Sequence, residues 1–188
     1  MTGTRTTQGG DPRGPGASLL EELAERGLVA DHTDRSALES RLDSPTPLYC
    51  GFDPTADSLH IGNLQSIMLL RRFQLAGHPP VALVRGATGM IGDPSGRSSE
   101  RQFLDSEVLD ANRAAIGAQL GTLLDFEGEA AATLVDNRDW TGSVGVLEFL
   151  RDVGKYVTVS TMLAKESVKG RMDRESGISF TEFSYMLL

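Results

Sequence analysis

The residues best suited to chemistry lie in one stretch, Leu48 to Ser66, reading LYCGFDPTADSLHIGNLQS. Leu48, Tyr49, Cys50 and Phe52 have the character of a short apolar strand, and Asp53-Pro54-Thr55-Ala56-Asp57-Ser58 supplies turn-forming residues. His60-Ile61-Gly62-Asn63 then stands at the first turn of a helix that carries Leu64, Ile67, Met68 and Leu70. A helix start leaves backbone N–H groups unpaired and carries partial positive charge, so it suits an anionic ligand. His60 adds a ring N–H there. Gly62, with no Cβ, lets a flat ligand such as a nucleotide base approach the backbone. A His-x-Gly at a helix start also serves as a cap with a packing glycine; the specificity lies in the whole stretch.

A second stretch, Gly86 to Arg101, reads GATGMIGDPSGRSSER. Its glycines fit neither the P-loop, which needs Gly-Lys-Ser/Thr four residues after a glycine, nor Gly-x-Gly-x-x-Gly. Gly-Asp-Pro-Ser-Gly does place the Asp93 carboxylate in a tight turn, with Arg97 and Arg101 beyond it on a polar, flexible loop.

The elements that must position these groups follow from local signals. Met1 to Ala17 is rich in Gly, Thr and Pro and reads as a disordered tail, leaving 18–188 as the folded unit. Ser18 caps a helix with Leu19, Leu20, Leu23 and Ala24 on its apolar face, ending at Gly27. Ser36 to Leu42 is a second helix, and the helix beginning near His60 ends at Gly77-His78-Pro79-Pro80, with His78 in the cap. Val81 to Val84 reads as a buried strand, so strand, helix and strand form a βαβ unit of a parallel sheet. Ligands of such sheets sit beyond the strand C-termini, where Asp53 and Gly86 to Asp93 fall. Ser106 to Leu124 reads as a long helix and Thr133-Leu134-Val135 as a third strand, followed by helices over Ser143 to Val153 and Thr158 to Lys169. Trp140 is expected to be a packing anchor, and Lys165 and Lys169 a solvated helix face. Phe180 to Leu188 is an amphipathic helix with no stop signal, and the chain is therefore expected to be a fragment.

Composition narrows the class. The 188 residues contain 39% hydrophobic and 23% charged residues, which are globular values. No apolar run has membrane-spanning length, and Cys50 is the only cysteine, which fits a cytosolic protein without an internal disulfide. His32, His60 and His78 are scattered, with no zinc-site spacing, so no protein-bound metal is expected. A net charge of −8 argues against a large nucleic-acid-binding face on this part of the molecule.

Taken together, the run from Tyr49 to Asn63 resembles the ATP-binding signature of class I aminoacyl-tRNA synthetases, whose usual form is His-Ile-Gly-His. Tyr-Cys-Gly-Phe-Asp-Pro-Thr-Ala-Asp-Ser-Leu and Gly-Asp-Pro-Ser-Gly are most similar to bacterial tyrosyl-tRNA synthetases. The resemblance covers the chain from about Leu19 and implies an α/β fold, a Rossmann-type parallel sheet flanked by helices, incomplete here as the first half of a catalytic domain. It implies that L-tyrosine is activated with ATP, accompanied by Mg2+, to tyrosyl-adenylate and pyrophosphate, and then transferred to tRNA(Tyr). The tRNA contacts would lie mostly in regions outside this chain, and a cytoplasmic homodimer is implied.

Carried over residue by residue, His60 and Asn63 would contact the ATP phosphates, with Arg97 and Arg101 holding pyrophosphate. Gly51, Asp53, Pro54, Thr55 and Gly62 would line the ATP site. Tyr49 would bond the substrate phenol, and Asp93 and Tyr185 its ammonium. Asn63 replaces the second histidine of the signature; it can donate a hydrogen bond but not carry charge. Arg97 stands where many relatives have Lys, which keeps the charge and changes the geometry. The Lys-Met-Ser-Lys-Ser loop is absent. A tryptophanyl relative and an inactive, partner-binding half-domain are the alternatives.

Overall fold

The computed structural model describes residues 14–91, 105–172 and 177–187. Three apolar segments pair as a parallel sheet in the order β1 (Leu48–Phe52), β2 (Pro80–Val84), β3 (Thr133–Asp136). Leu48 stands opposite Pro80 and Phe52 opposite Val84, while Val81 and Val84 face Thr133 and Asp136. Parallel strands need long crossovers. β1 reaches β2 through α3 (Ile61–Leu75), and β2 reaches β3 through α4 (Gly86–Ile91) and α5 (Ser106–Leu120).

Because side chains alternate along a strand, the sheet has two unlike faces. Phe52, Ala82 and Val84 point into the main core with Ile67 and Leu70 of α3 and Ile116 and Leu120 of α5. On the other face, Tyr49, Val81, Leu83 and Val135 line an open apolar groove of about 510 Å³ with Trp140 at its edge. Trp140 is 51% exposed, so the packing role expected for it is corrected: its ring borders the open face.

A second core fastens the N-terminal helices, α1 (Pro15–Glu25) and α2 (Arg35–Arg41), onto α3. Leu19, Leu20, Leu23 and Leu42 pack there with Leu69 and Phe73. α1 begins at Pro15, ahead of the expected Ser18 cap: Pro at the first turn has the required φ and no N–H to satisfy. Pro15–Ala17 thus belong to the helix, with Gly16 and Ala17 buried, which moves the expected tail boundary back. Gly27 and Gly77 follow α1 and α3 with φ of 67° and 92°, as their C-terminal signals imply.

The remaining elements are α6 (Arg138–Thr141), α7 (Val146–Asp152), α8 (Val159–Leu163), α9 (Glu166–Met172) and α10 (Phe180–Ser184), with short 3-10 turns at Gly154–Tyr156 and Tyr185–Leu187. The single helix expected over Thr158–Lys169 is broken between α8 and α9. Met162 and Val168 are both buried, yet six residues apart on a continuous helix they would point about 120° apart. The break lets both turn inward. Among the described residues no helix is long and apolar enough to cross a membrane.

Candidate active site

Alternation along the strands assembles the site. Tyr49 and Gly51 on β1, and Leu83 on β2, share the open face; Asp53, Arg85 and Asn137 continue that alternation one residue past each strand. Arg85 N–H donates to the Phe52 carbonyl at 3.0 Å and Asn137 N–H to the Val84 carbonyl at 3.3 Å, which holds these residues in register beyond the sheet. A cleft of about 260 Å³ opens at this edge, lined by Tyr49, Gly51, Leu83, Arg85, Thr88, Asn137, Trp140 and Tyr185.

Arg85 crosses that cleft. Its Nε lies 3.0 Å from Asp53 Oδ1, Nη2 donates to Asp53 Oδ2 at 3.2 Å, and Nη1 donates to the Tyr185 hydroxyl at 3.0 Å. Gly51 makes room for it, since a Cβ there would lie 2.9 Å from Nε. The start of α4 forms the cleft's inner wall. Gly86 N–H donates to Asp136 Oδ1 at 3.1 Å and Ala87 N–H to Asn137 Oδ1 at 2.9 Å, so side chains at the end of β3 cap this helix. The Asp136 carboxylate is buried, accepts also from Arg138 N–H at 2.9 Å, and pairs with Arg113 Nε at 3.1 Å. It is a structural hub.

The start of α3 forms a second group. His60 is its N-cap, accepting the Gly62 N–H on Nδ1 at 3.0 Å, while Asn63 Oδ1 accepts the His60 N–H at 3.1 Å. With Nδ1 accepting, the proton of the neutral ring sits on Nε2. Asn63 keeps its NH2 group as the donor. A Cβ on Gly62 would meet His60 Cε1 at 2.8 Å, so the bare glycine first makes room for this ring. The approach to α3 is fixed by Gln119, which accepts the Leu59 N–H at 2.9 Å and donates to the Asp57 carbonyl at 3.5 Å.

Tyr49, Gly51 and Tyr185 are therefore brought together in the cleft, Asp53 is tied to it through Arg85, and His60, Gly62 and Asn63 form the start of α3. Thr55 is exposed on the turn between them. Pro54 is fully buried and its carbonyl accepts from Asn112 Nδ2 at 3.0 Å, which fixes the turn. Asp93, Arg97 and Arg101 lie outside the described residues. Gly86 to Ile91 forms helix α4, whose first N–H groups are capped by side chains from the end of β3, about fifty positions away. Arg85, Thr88, Asn137 and Trp140 were not expected in the site. For Arg85 and Asn137 a signal existed: each is polar and directly follows a strand of the parallel sheet, where open α/β sheets bind ligands. Among the described residues, no group of three or more His, Cys, Asp or Glu side chains could hold a metal ion.

Comparison with known proteins agrees with this layout. The family described as tRNA synthetases class I (W and Y) matches residues 41–188. A tyrosine–tRNA ligase of Opitutus terrae is 59% identical over 173 residues, covering 91% of this chain and 41% of the relative. One from Desulfitobacterium hafniense is 56% identical over 172 residues, covering 91% of this chain and 40% of the relative. This chain thus spans about two-fifths of the length of these curated relatives. A C-terminally truncated mitochondrial tyrosyl-tRNA synthetase of Aspergillus nidulans superposes with a TM-score of 0.77 at 35% identity, covering 90% of this chain and 51% of that one. A Plasmodium falciparum tryptophanyl-tRNA synthetase shares the fold at 16% identity, with a TM-score of 0.62 over 92% of this chain and 44% of its own. The parallel sheet is accordingly of the Rossmann type found in class I synthetases, and the chain belongs to the tryptophan and tyrosine family of class I tRNA synthetases.

Proposed function

We propose that this chain supplies the ATP- and tyrosine-binding part of a tyrosine–tRNA ligase, in which L-tyrosine reacts with ATP to tyrosyl-adenylate and is passed to tRNA(Tyr). The observation that carries the reading is the strand-end cleft that Tyr49 and Tyr185 line together, in a chain whose α3 starts with the His60–Asn63 capping box. The relatives named tyrosine–tRNA ligase support tyrosine as the amino acid.

In this reading the tyrosine carboxylate attacks the α-phosphate and pyrophosphate leaves, so no enzyme nucleophile is needed. The protein acts by positioning and by stabilising charge on phosphate oxygens. MgATP enters as substrate. His60 Nε2–H and the Asn63 NH2 group meet phosphate oxygens at the positive end of α3; Gly51, Asp53, Pro54, Thr55 and Gly62 line the ATP seat, and Arg97 and Arg101 hold pyrophosphate. Tyr49 bonds the substrate phenol, while Asp93 and Tyr185 hold its ammonium.

The enzyme works as a cytoplasmic homodimer, with most tRNA contacts outside this segment. Exposed Val146, Leu147, Leu150, Tyr156 and Val159 around α7 and α8 support the dimer, because apolar surface of this extent favours association. The test is ATP–pyrophosphate exchange by a full-length synthetase carrying this segment. Exchange dependent on tyrosine and not on tryptophan is expected; exchange driven by tryptophan, or by neither, overturns the reading.

A further inference from the structure

We propose that Arg85 is a positioning residue that joins the two substrate seats, neutralising Asp53 on the ATP side and holding Tyr185 on the amino-acid side. The inference rests on the tyrosine–ATP reading above. One guanidinium reaches a carboxylate 32 positions away through Nε and Nη2, and a phenol 100 positions away through Nη1. The planar fork of arginine suits this geometry, since Nη2 donates to the carboxylate while Nη1 remains for a second acceptor, and Nε adds an ion-pair contact to Asp53 Oδ1. The side chain can take this path only because Gly51 presents no Cβ to it.

The pair lies within reach of a ligand. Arg85 is 33% exposed and lines the cleft, and Asp53, 20% exposed, stands behind it as its partner. That position has an electrostatic consequence. A bare carboxylate at the end of β1 would repel an approaching triphosphate, whereas a paired one presents no net charge. The same guanidinium fixes the Tyr185 ring over the strand ends. The phenol oxygen accepts one bond from Nη1 at 3.0 Å. Asp53 and Tyr185 are thereby tied through a group that touches both, so occupation of one seat is felt at the other.

The test compares Arg85→Met, Arg85→Lys, Asp53→Asn and the Arg85→Met/Asp53→Asn double variant in a full-length synthetase carrying this segment, with KM for ATP and for tyrosine measured separately from kcat. Arg85→Met should raise the ATP KM about tenfold, the order expected for one partly exposed charge-assisted pair. In the Asp53→Asn background the same change should alter the ATP KM little, because no charge is left to neutralise. Arg85→Lys should restore the ATP KM but leave the tyrosine KM raised, since an ammonium keeps the charge and loses the fork. An unchanged ATP KM in Arg85→Met, an equal effect with and without Asp53, or tighter tyrosine binding would overturn the assignment; the last would mean that the guanidinium occupies the substrate's place. Melting curves establish that each variant is folded, and if Arg85→Met is not, the split between ATP and tyrosine KM in Arg85→Lys decides alone. A wild-type protein without tyrosine-dependent exchange brings down the functional reading and this inference together. An active wild type with indifferent Arg85 variants sinks only the inference.

Discussion

At the scale of single residues, His60 does two things at once, and they can be separated. Nδ1 caps α3 by accepting the Gly62 N–H, which leaves Nε2 as the ring's donor. His60→Ala should lose both, at a stability cost of about 1 kcal/mol for the cap and a larger loss in the rate of adenylate formation. His60→Asn should keep the cap, because Asn is a good N-cap residue, while still losing the rate. Single-turnover kinetics beside denaturant melts check the two effects; an unchanged chemical rate in both variants would reduce His60 to a cap. Tyr49 is 72% exposed on the open face and is no core aromatic. Tyr49→Phe should therefore leave the fold intact and weaken activation of tyrosine relative to phenylalanine by about 0.5–1.5 kcal/mol, the range of one neutral hydrogen bond. Equal losses for the two amino acids, compared by kcat/KM, would assign the hydroxyl no part in recognition.

At the scale of elements, the ends of helices carry the strongest constraints. His78 closes α3: its N–H donates to the Phe73 carbonyl at 2.9 Å, Nδ1 accepts the Thr46 N–H at 3.1 Å, and its ring meets Phe73 edge-on. It belongs to the cap, as its place after Gly77 implies. Burial holds this ring neutral and lowers its pKa below the ordinary value of 6.5. The unfolded chain therefore binds a proton on falling through about pH 6.5 that the folded chain still refuses, and stability declines from that pH downward until the folded pKa is passed. The slope is at most about 1.4 kcal/mol per pH unit for one proton. Denaturant midpoints between pH 7.5 and 5 should show this decline in the wild type, and His78→Gln should remove its share of it. A like constraint sits at α4. A Cβ on Gly86 would stand 2.6 Å from Asp136 Oδ1, so Gly86→Ala should cost about 1–3 kcal/mol through displacement of that buried carboxylate. A denaturation midpoint equal to wild type would show that α4 can shift away freely.

At the scale of the whole molecule, what is left uncovered matters as much as what is buried. One face of the sheet is packed by α3 and α5, and the other exposes Tyr49, Val81, Leu83 and Val135. Val146, Leu147, Tyr156 and Val159 form further apolar surface, each more than 60% exposed. In the homodimer reading these residues of α7, α8 and the 3-10 turn between them meet a second copy, where each fully buried leucine contributes about 1.5–3 kcal/mol. Leu147→Glu should then raise the dimer dissociation constant of a full-length synthetase carrying this segment about tenfold or more, as followed by sedimentation velocity. An unaltered dimer would place the interface elsewhere.

Much of this protein was determined by local sequence. The strand at Leu48–Phe52, the α3 start at His60 and its end before Gly77 follow from apolar periodicity and capping chemistry, which act over a few residues. The family is likewise legible in the run from Tyr49 to Asn63, because that chemistry is concentrated in one uninterrupted segment. Tertiary structure decided the rest. Helix α4 takes its N-terminal caps from Asp136 and Asn137 at the end of β3, and the break between α8 and α9 lets Met162 and Val168 both turn inward. The cleft itself was beyond local reading. Arg85 meets Asp53 and Tyr185 across 32 and 100 residues, and a guanidinium's choice of partner depends on distance in space, which only the folded sheet sets.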